Sequence, residues 1–199
     1  TVDIGGGLCY FLWERDNEDE CLVINMNSGE QDALRRSLNQ YGNLFIRSNK
    51  AISIIEKIRA KADSFVDEMV SAIDTFGIPS KVRGHEEYTE GDILLVHSDG
   101  ANSSKTSYIS RDVVTKNAHL IDKYKVRISI LVPQNGEAGV KPEKGYRSMS
   151  TPHLVYPGQV DSFSYLNIGF FDNENEAENF RKYMMCKLPR FMMRTTYSS

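Results

Sequence analysis

Short apolar runs, separated by polar stretches rich in Gly, Asn and Ser, organise most of the chain. Two runs of aromatic and branched residues, Leu8 to Arg15 and Cys21 to Asn25, flank the polar stretch "DNEDE". Apolar runs on either side of a polar connection predict a β-hairpin. A turn signal, Asn27-Ser28-Gly29, follows the second run.

The apolar positions after Ser48 follow a helical period. They are Ala51, Ile52, Ile55, Ile58, Ala62, Phe65, Met69 and Ile73. This spacing predicts one long helix over residues 49–76, with Ser48 as its N-cap. Gly77 and Pro79 are expected to end the helix.

The pattern changes after residue 80. The runs "DILLVHS", "TSYIS" and "KVRISILV" predict strands, and "NAHLIDKY" predicts a short helix between two of them. The loop "PQNGEAGVKPEKG" is polar and contains both Gly and Pro.

The last part of the chain predicts one strand followed by one helix. "SFSYLNIGFF" is the strand, and Asp172 is expected to cap a helix with an acidic first turn. The expected buried stripe consists of Ala177, Phe180, Met184 and Leu188, and Pro189 should break or bend the helix. Because strands and helices alternate without regular βαβ spacing, the predicted fold class is α+β.

Charge is distributed unevenly along the 199 residues. The net charge is -3, but residues 1–79 carry -5 and residues 80–199 carry +2. No apolar run is long enough for a membrane span, so we expect a cytoplasmic protein without a membrane partner. The abrupt ends of the sequence suggest a piece of a longer polypeptide. Three cysteines without metal spacing suggest reduced, buried thiols, although a Cys9–Cys21 bridge remains open.

Motifs for common chemistries are missing from the sequence. The triplet Gly5-Gly6-Gly7 precedes a strand, whereas a dinucleotide fingerprint follows one, so a chain-bending loop is favoured. The four histidines show no ligand spacing, and there is no P-loop, no Gly-x-Ser-x-Gly and no Asp/Glu-x-Lys pair. We therefore predict no catalytic residue, no metal site and no cofactor site in this chain.

Basic residues recur between the strands of the middle region. In "KYKVR", a strand would place Lys123, Lys125 and Arg127 on one face. A one-sided cationic row suits contact with phosphates, and a merely solvated strand face is the competing interpretation. A second basic stretch, Arg181 to Arg194, holds five basic residues and no acid, and is expected to complement the end of a helix.

Several segments resemble one family. "GGGLCYFLWERD" resembles a segment of fused bacterial restriction–modification proteins that contain a TaqI-like, adenine-specific DNA methyltransferase. "YLNIGFFDNENEAENFRKYMMCKLPRFMM" resembles a later segment of the same proteins, and "FGIPSKVRG" and "SYISRDVVTKNAHLIDKYKV" match the intervening pattern in order. The resemblance covers nearly the whole chain. Leu188-Pro189 departs from it, because the family usually has aromatic residues there.

The resemblance implies a division of the chain into two parts. Residues 1–30 would be the terminal strands of a methyltransferase domain, and residues 31–199 would be the target recognition domain that selects the DNA sequence. The family's Asn-Pro-Pro-Tyr/Phe motif and its S-adenosylmethionine loop are missing here. Both would lie upstream, in a methyltransferase domain that serves as this region's partner, so the fragment itself is expected to be inactive.

The predicted function is therefore sequence-specific recognition of double-stranded DNA within a type II restriction–modification enzyme. A protein-interaction or scaffolding domain without DNA affinity is the alternative. The residues expected to contact DNA are Lys81, Arg83, Arg111, Lys123, Lys125, Arg127 and Arg147. Lysines are expected to hold phosphates, whereas arginines suit the two acceptors of guanine. Affinity should be weak, with a Kd of about 10⁻⁴ to 10⁻⁶ M for random DNA, and should fall with salt.

Overall fold

A computed structural model describes residues 9–16, 20–27, 29–42, 44–99, 104–130 and 149–196. The described residues confirm the α+β class, with α-helices and both antiparallel and parallel strand pairs. They fall into two compact units. The first comprises the described residues up to Asp63 and residues 190–196, and the second comprises residues 64–130 and 149–189. The expected boundary at residue 30 instead falls inside a hairpin of the first unit.

The hairpin of the first unit differs from the predicted one. Strand β1 (Cys21–Asn27) pairs with β2 (Glu30–Arg36), and residues 9–14 are not in a strand. Asn27 lies opposite Glu30, and Gly29 has a φ of +86°, which suits the short turns that join antiparallel strands. The turn signal at Asn27-Ser28-Gly29 therefore determined the pairing. Strand β2 was not predicted from the sequence, because most of its residues are polar.

The predicted long helix is much shorter. Helix α1 (Asn49–Arg59) starts after Ser48, as expected, but the Ser48 side chain makes no capping hydrogen bond. Beyond residue 63 the chain belongs to the second unit, where a 3₁₀ turn covers Val66–Met69 and Ser71 N donates to Asn167 O. Backbone hydrogen bonds to that unit's own strands replace the helical ones. Tertiary contacts thus override a continuous helical period.

Helix α1 is anchored to the hairpin by buried polar side chains. Asn49 Nδ2 donates to Val23 O, and Asn49 N donates to the side chain of Asn25. The buried Arg36 guanidinium donates to Asn49 Oδ1 and to Ile46 O. These bonds satisfy polar groups that burial would otherwise leave unpaired.

Two three-stranded sheets form the second unit. One has the order β4-β3-β7, with β3 (Asp92–Ser98) between β4 (Ser104–Ser110) and β7 (Gln159–Asp161). The other has the order β6-β5-β8, with β5 (Tyr124–Ser129) between β6 (His153–Val155) and β8 (Tyr165–Phe171). Strands were predicted at β3, β4, β5 and β8. The short helix expected at "NAHLIDKY" is a 3₁₀ turn at Ala118–Leu120.

The core of the second unit is apolar and continuous. Its fully buried members include Phe76, Ile78, Leu95 and Val160, and Val82 packs against it from the side.

The predicted loop at 133–145 and the glycine triplet lie outside the described residues. The three cysteines are free and exposed, so the expectation of buried thiols was wrong.

The C-terminal helix is broken in two. Helix α2 (Glu174–Met184) buries Ala177 and Met184, and α3 (Lys187–Thr196) begins two residues before Pro189. The expected break thus occurs, but it falls ahead of the proline. Leu188, expected in the buried stripe, is exposed because it belongs to the new helix.

The N-cap of α2 was predicted one residue too early. Asn173, not Asp172, has the extended backbone of an N-cap, and its side chain accepts a hydrogen bond from Glu176 N at 3.0 Å. Asp172 instead forms an exposed ion pair with Lys123. The acidic first turn at Glu174 and Glu176 is confirmed.

Replacing Asn173 with alanine should therefore lower the free energy of unfolding by about 1 kcal/mol, the usual cost of losing such a cap. Asp172→Ala is the matched control, since it removes an exposed ion pair and leaves the cap in place. Urea denaturation of both variants measures the difference. A larger loss for Asp172→Ala would show that the cap had been assigned to the wrong residue.

Candidate nucleic-acid interface

Three exposed side chains lie in the segment before β3, which leaves a turn at Lys81 and runs to a β-bridge at His85. Lys81, Arg83 and His85 are exposed, whereas the alternating Val82 and Gly84 are partly buried. Val82 packs against the core of the second unit. This alternation is typical of a strand-like segment with one side packed and one side solvated. We call Lys81 and Arg83, together with the backbone between them, the cationic row.

Gly84 fixes the row against β4. A Cβ atom built on Gly84 would lie 2.0 Å from Tyr108 O and 2.8 Å from Tyr108 C, so only glycine fits without a backbone shift. Gly84 N donates to Ser107 Oγ at 3.0 Å, and His85 and Tyr108 exchange two backbone hydrogen bonds of 3.0 and 2.8 Å. The backbone that carries the row is therefore held by a close approach and three hydrogen bonds.

The Arg83 guanidinium is oriented by backbone carbonyls. Nη1 donates to Ser80 O and Val82 O at 2.7 and 2.8 Å, and Nη2 donates to Ser98 O at 2.9 Å. Carbonyl oxygens carry no full charge, so the positive charge of Arg83 is not neutralised by these bonds. A pre-oriented guanidinium loses less side-chain entropy when it binds an anion or a base edge.

His85 is held by a carboxylate. His85 Nε2 and Asp92 Oδ2 are 2.6 Å apart, and Thr89 N donates to the same oxygen at 2.9 Å. The hydrogen bond from His85 is the largest cause of the lowered pKa of Asp92. Nearby, the exposed Tyr88 packs edge-on against Tyr108, with ring centroids 5.5 Å apart.

Two other expected DNA contacts, the exposed Arg111 and the half-buried Lys123, are paired with acids. Arg111 Nη2 lies 2.6 Å from Asp122 Oδ2, and Lys123 pairs with Asp172. Exposed pairs of this kind contribute little to stability, so a phosphate can displace the carboxylates. Arg147 lies outside the described residues.

Lys125 does not fit its predicted role. Its side chain is fully buried, and Nζ donates to Ile121 O and Lys123 O at 2.9 and 2.8 Å. Burial lowers the pKa of Lys125 to about 8, against the attraction of Asp161 and Asp122. The predicted cationic face of "KYKVR" fails because β5 is a central strand and the Lys125 ammonium lies over the ring of the buried core residue Phe76. The ammonium is therefore a structural group and is not available to phosphate.

Arg127 is partly buried beside a second buried charge. Its guanidinium carbon lies 4.7 Å above the ring of Tyr165. Asp161 is buried, and both of its carboxylate oxygens accept from Asn167 Nδ2 at 3.1 Å. Burial raises the pKa of Asp161 to about 6, opposed by the charge of Arg127 and the Asn167 hydrogen bond. No sequence signal pointed to Asp161, because "QVDS" contains only one apolar residue.

Within the described ranges, no group of three or more His, Cys, Asp or Glu side chains is placed to hold a metal ion. None of the helices in that part of the chain is long and apolar enough to cross a membrane. No protein-family model, curated protein or solved structure matches the chain. The geometry of the cationic row therefore carries the functional argument.

Proposed function

We propose that the chain recognises double-stranded DNA as the target recognition part of a type II restriction–modification enzyme with an adenine-specific DNA methyltransferase. The observation that carries the proposal is the cationic row. Lys81 and Arg83 project from a segment that Gly84 locks against β4. Lys81 has no ion-pair partner among the residues that the structure describes, and Arg83 is bonded only to carbonyls there. Charges presented in this way suit phosphates and guanine edges.

The ordered resemblance along the chain gives independent support. Its segment "FGIPSKVRG" includes Lys81 and Arg83, and "SYISRDVVTKNAHLIDKYKV" includes Arg111 and Lys123. The proposed enzyme would take its methyl group from S-adenosylmethionine bound by a methyltransferase domain elsewhere in the same polypeptide. This chain would supply sequence selection and no chemistry. Its proposed DNA contacts are now Lys81, Arg83, Arg111 and Lys123. Lys125 is left out because it is buried, and Arg127 because its Nε and Nη1 are sealed from solvent in this conformation. Arg147 stays a prediction, since it lies outside the described residues.

Replacing Lys81 with alanine should weaken binding to all DNA sequences evenly. The slope of log affinity against log salt should fall by about one, the value for one lost phosphate contact. Replacing Arg83 with alanine should relax sequence preference and cost about 1–3 kcal/mol at the base that it contacts. Anisotropy titrations of a labelled duplex at several salt concentrations test Lys81. Selection from a pool of random duplexes, followed by sequencing, tests Arg83.

Lys116→Ala is the matched control, because Lys116 is an exposed lysine of the same unit that is paired with Asp74. It should leave both affinity and salt slope unchanged. If Lys81→Ala and Arg83→Ala are silent while Lys187→Ala or Arg190→Ala abolishes binding, the proposed face is wrong.

A protein-interaction domain is the second candidate. Leu22, Ile24 and Met26 are exposed on one face of β1, and the side chains from Tyr10 to Trp13 are largely exposed as well. Exposed apolar groups of this size often mark a contact surface. This alternative expects no DNA binding by the wild-type chain even at low salt, so the same titration separates the two functions.

A further inference from the structure

The guanidinium of Arg127 lacks a hydrogen-bond acceptor. Nε and Nη1 are sealed from solvent and have no partner in the part of the chain that the structure describes. The ring of Tyr165 covers one face of the guanidinium plane. It cannot accept conventional hydrogen bonds from the N–H groups at the edge of that plane. Buried donors in native proteins almost always have acceptors, so this arrangement indicates a missing partner.

Asp161 does not act as that partner. Asp161 and Arg127 attract each other, but no ion pair joins them within the described ranges, and both carboxylate oxygens face Asn167 Nδ2. The charge on Arg127 is therefore only partly compensated from the interior.

The side of Arg127 that faces β6 is positive as well. His153 lies opposite Arg127 in the β5–β6 register and is exposed. Burial, then the charge of Arg127, then that of Arg181 lower the pKa of His153. Arg181 on α2 is itself engaged, because Nε and Nη2 donate to Glu178 at 2.6 and 2.7 Å. Arg181 therefore adds positive potential at His153, but its Nε and Nη2 are already used in hydrogen bonds to Glu178.

We propose that Arg127 and His153 form a binding site for one phosphate group. A guanidinium presents two parallel N–H donors that match two oxygens of a phosphate, and a protonated imidazole adds a third donor. The anion would enter from the exposed side of His153. Because Nε and Nη1 are sealed in this conformation, the guanidinium must turn on its side chain toward His153 to offer both donors. The phosphate group that this site would bind occurs both in free phosphate and in a DNA backbone.

The first experiment uses inorganic phosphate alone and does not depend on DNA recognition. The pH titration of each histidine is followed by NMR in phosphate and in chloride at equal ionic strength, with His153→Gln identifying the His153 signal. A bound phosphate should raise the pKa of His153 by about one unit, since a nearby opposite charge favours the protonated ring. The other histidines should not respond.

Variants at Arg127 decide the assignment. Arg127→Gln should abolish the phosphate-dependent shift. Arg127→Lys keeps the charge but loses the planar fork, so it should bind phosphate roughly tenfold more weakly and remain testable if the glutamine variant does not fold. Lys116→Gln, which removes an exposed cation of the same unit that is paired with Asp74, should leave the shift intact. The site would be overturned if the pKa of His153 were the same in phosphate and in chloride. It would also be overturned if Arg127→Lys bound phosphate as tightly as the wild type.

A DNA titration then identifies the source of the phosphate. If Arg127→Lys weakens both inorganic phosphate and duplex DNA, the site holds a backbone phosphate. If it weakens inorganic phosphate alone, the site serves a free phosphate group, and Lys81→Ala still reports separately on DNA binding. A chain that binds phosphate but no DNA would overturn the proposed function and leave the phosphate site standing.

Discussion

Replacing Gly84 with alanine is expected to lower the free energy of unfolding by about 3 kcal/mol, at the upper end of the usual cost of overpacking. The new Cβ would lie 2.0 Å from the carbonyl oxygen of Tyr108, a backbone atom that cannot rotate away. Relief requires the segment to move off β4, which breaks the paired hydrogen bonds between His85 and Tyr108. Urea denaturation measures the loss of stability. Because the same shift displaces Lys81 and Arg83, DNA affinity of the folded fraction should fall too.

Gly91→Ala is the matched control for this effect. Gly91 has a φ of +91°, but nothing lies within 4 Å of a Cβ built there. Alanine at this position should therefore cost only backbone strain, about 1 kcal/mol, and should leave DNA affinity unchanged. Equal losses for the two variants would mean that the approach of Gly84 to β4 does not hold the cationic row.

The sequence predicted the strands of the second unit because their signal is local. Runs of branched and aromatic residues mark β3, β5 and β8, and those residues are buried in the unit's sheets. The acidic start of α2 was visible for the same reason, since Glu174 and Glu176 are close in sequence, although the cap was assigned to Asp172 and not to Asn173. Patterns of this kind depend on neighbours in the sequence.

The errors occurred where distant contacts decide the structure. The helical period from Ala51 to Ile73 is continuous, yet the chain leaves α1 at Arg59 because residues beyond 63 bond to the second unit. The aromatic run at residues 9–14 has high β propensity, but β1 pairs with the polar β2 across a tight turn. Local propensity could not reveal that the chain after residue 63 bonds to the second unit, or that β1 pairs with β2.

The candidate site was predicted only in part. Lys81 and Arg83 were named as DNA contacts, and both are exposed, but His85 was missed because its position depends on the close approach of Gly84 to β4. Lys125 was misassigned because three carbonyls of the preceding turn, brought together only by folding, accept its ammonium protons. Burial of a charged residue is therefore a tertiary property that composition does not disclose.

The buried carboxyl of Asp161 should make stability depend on pH in an unusual direction. Its pKa is raised to about 6, mainly by burial, so between its ordinary value and pH 6 the folded protein binds more protons than the unfolded chain. Its contribution to stability is therefore present at pH 4 and is lost as the pH rises through 6. Lys125 and Arg127, the charges that face it, both stay protonated over this range.

Asp161→Asn removes this titration and isolates its effect. The free energy of unfolding of the wild type, minus that of Asp161→Asn, should fall by about 2 kcal/mol between pH 4 and pH 7, which is most of the effect of a shift of about two pKa units. Urea denaturation across this range measures the difference, and groups common to both proteins cancel. Thr75→Val is the control, because it removes a hydroxyl from the same cluster, where Asn167 Nδ2 donates to Thr75 Oγ1, without removing a titrating group. The difference in free energy of unfolding between Thr75→Val and the wild type should not change with pH. If the Asp161→Asn difference instead rises with pH, attraction to Lys125 and Arg127 outweighs the cost of burying the carboxylate.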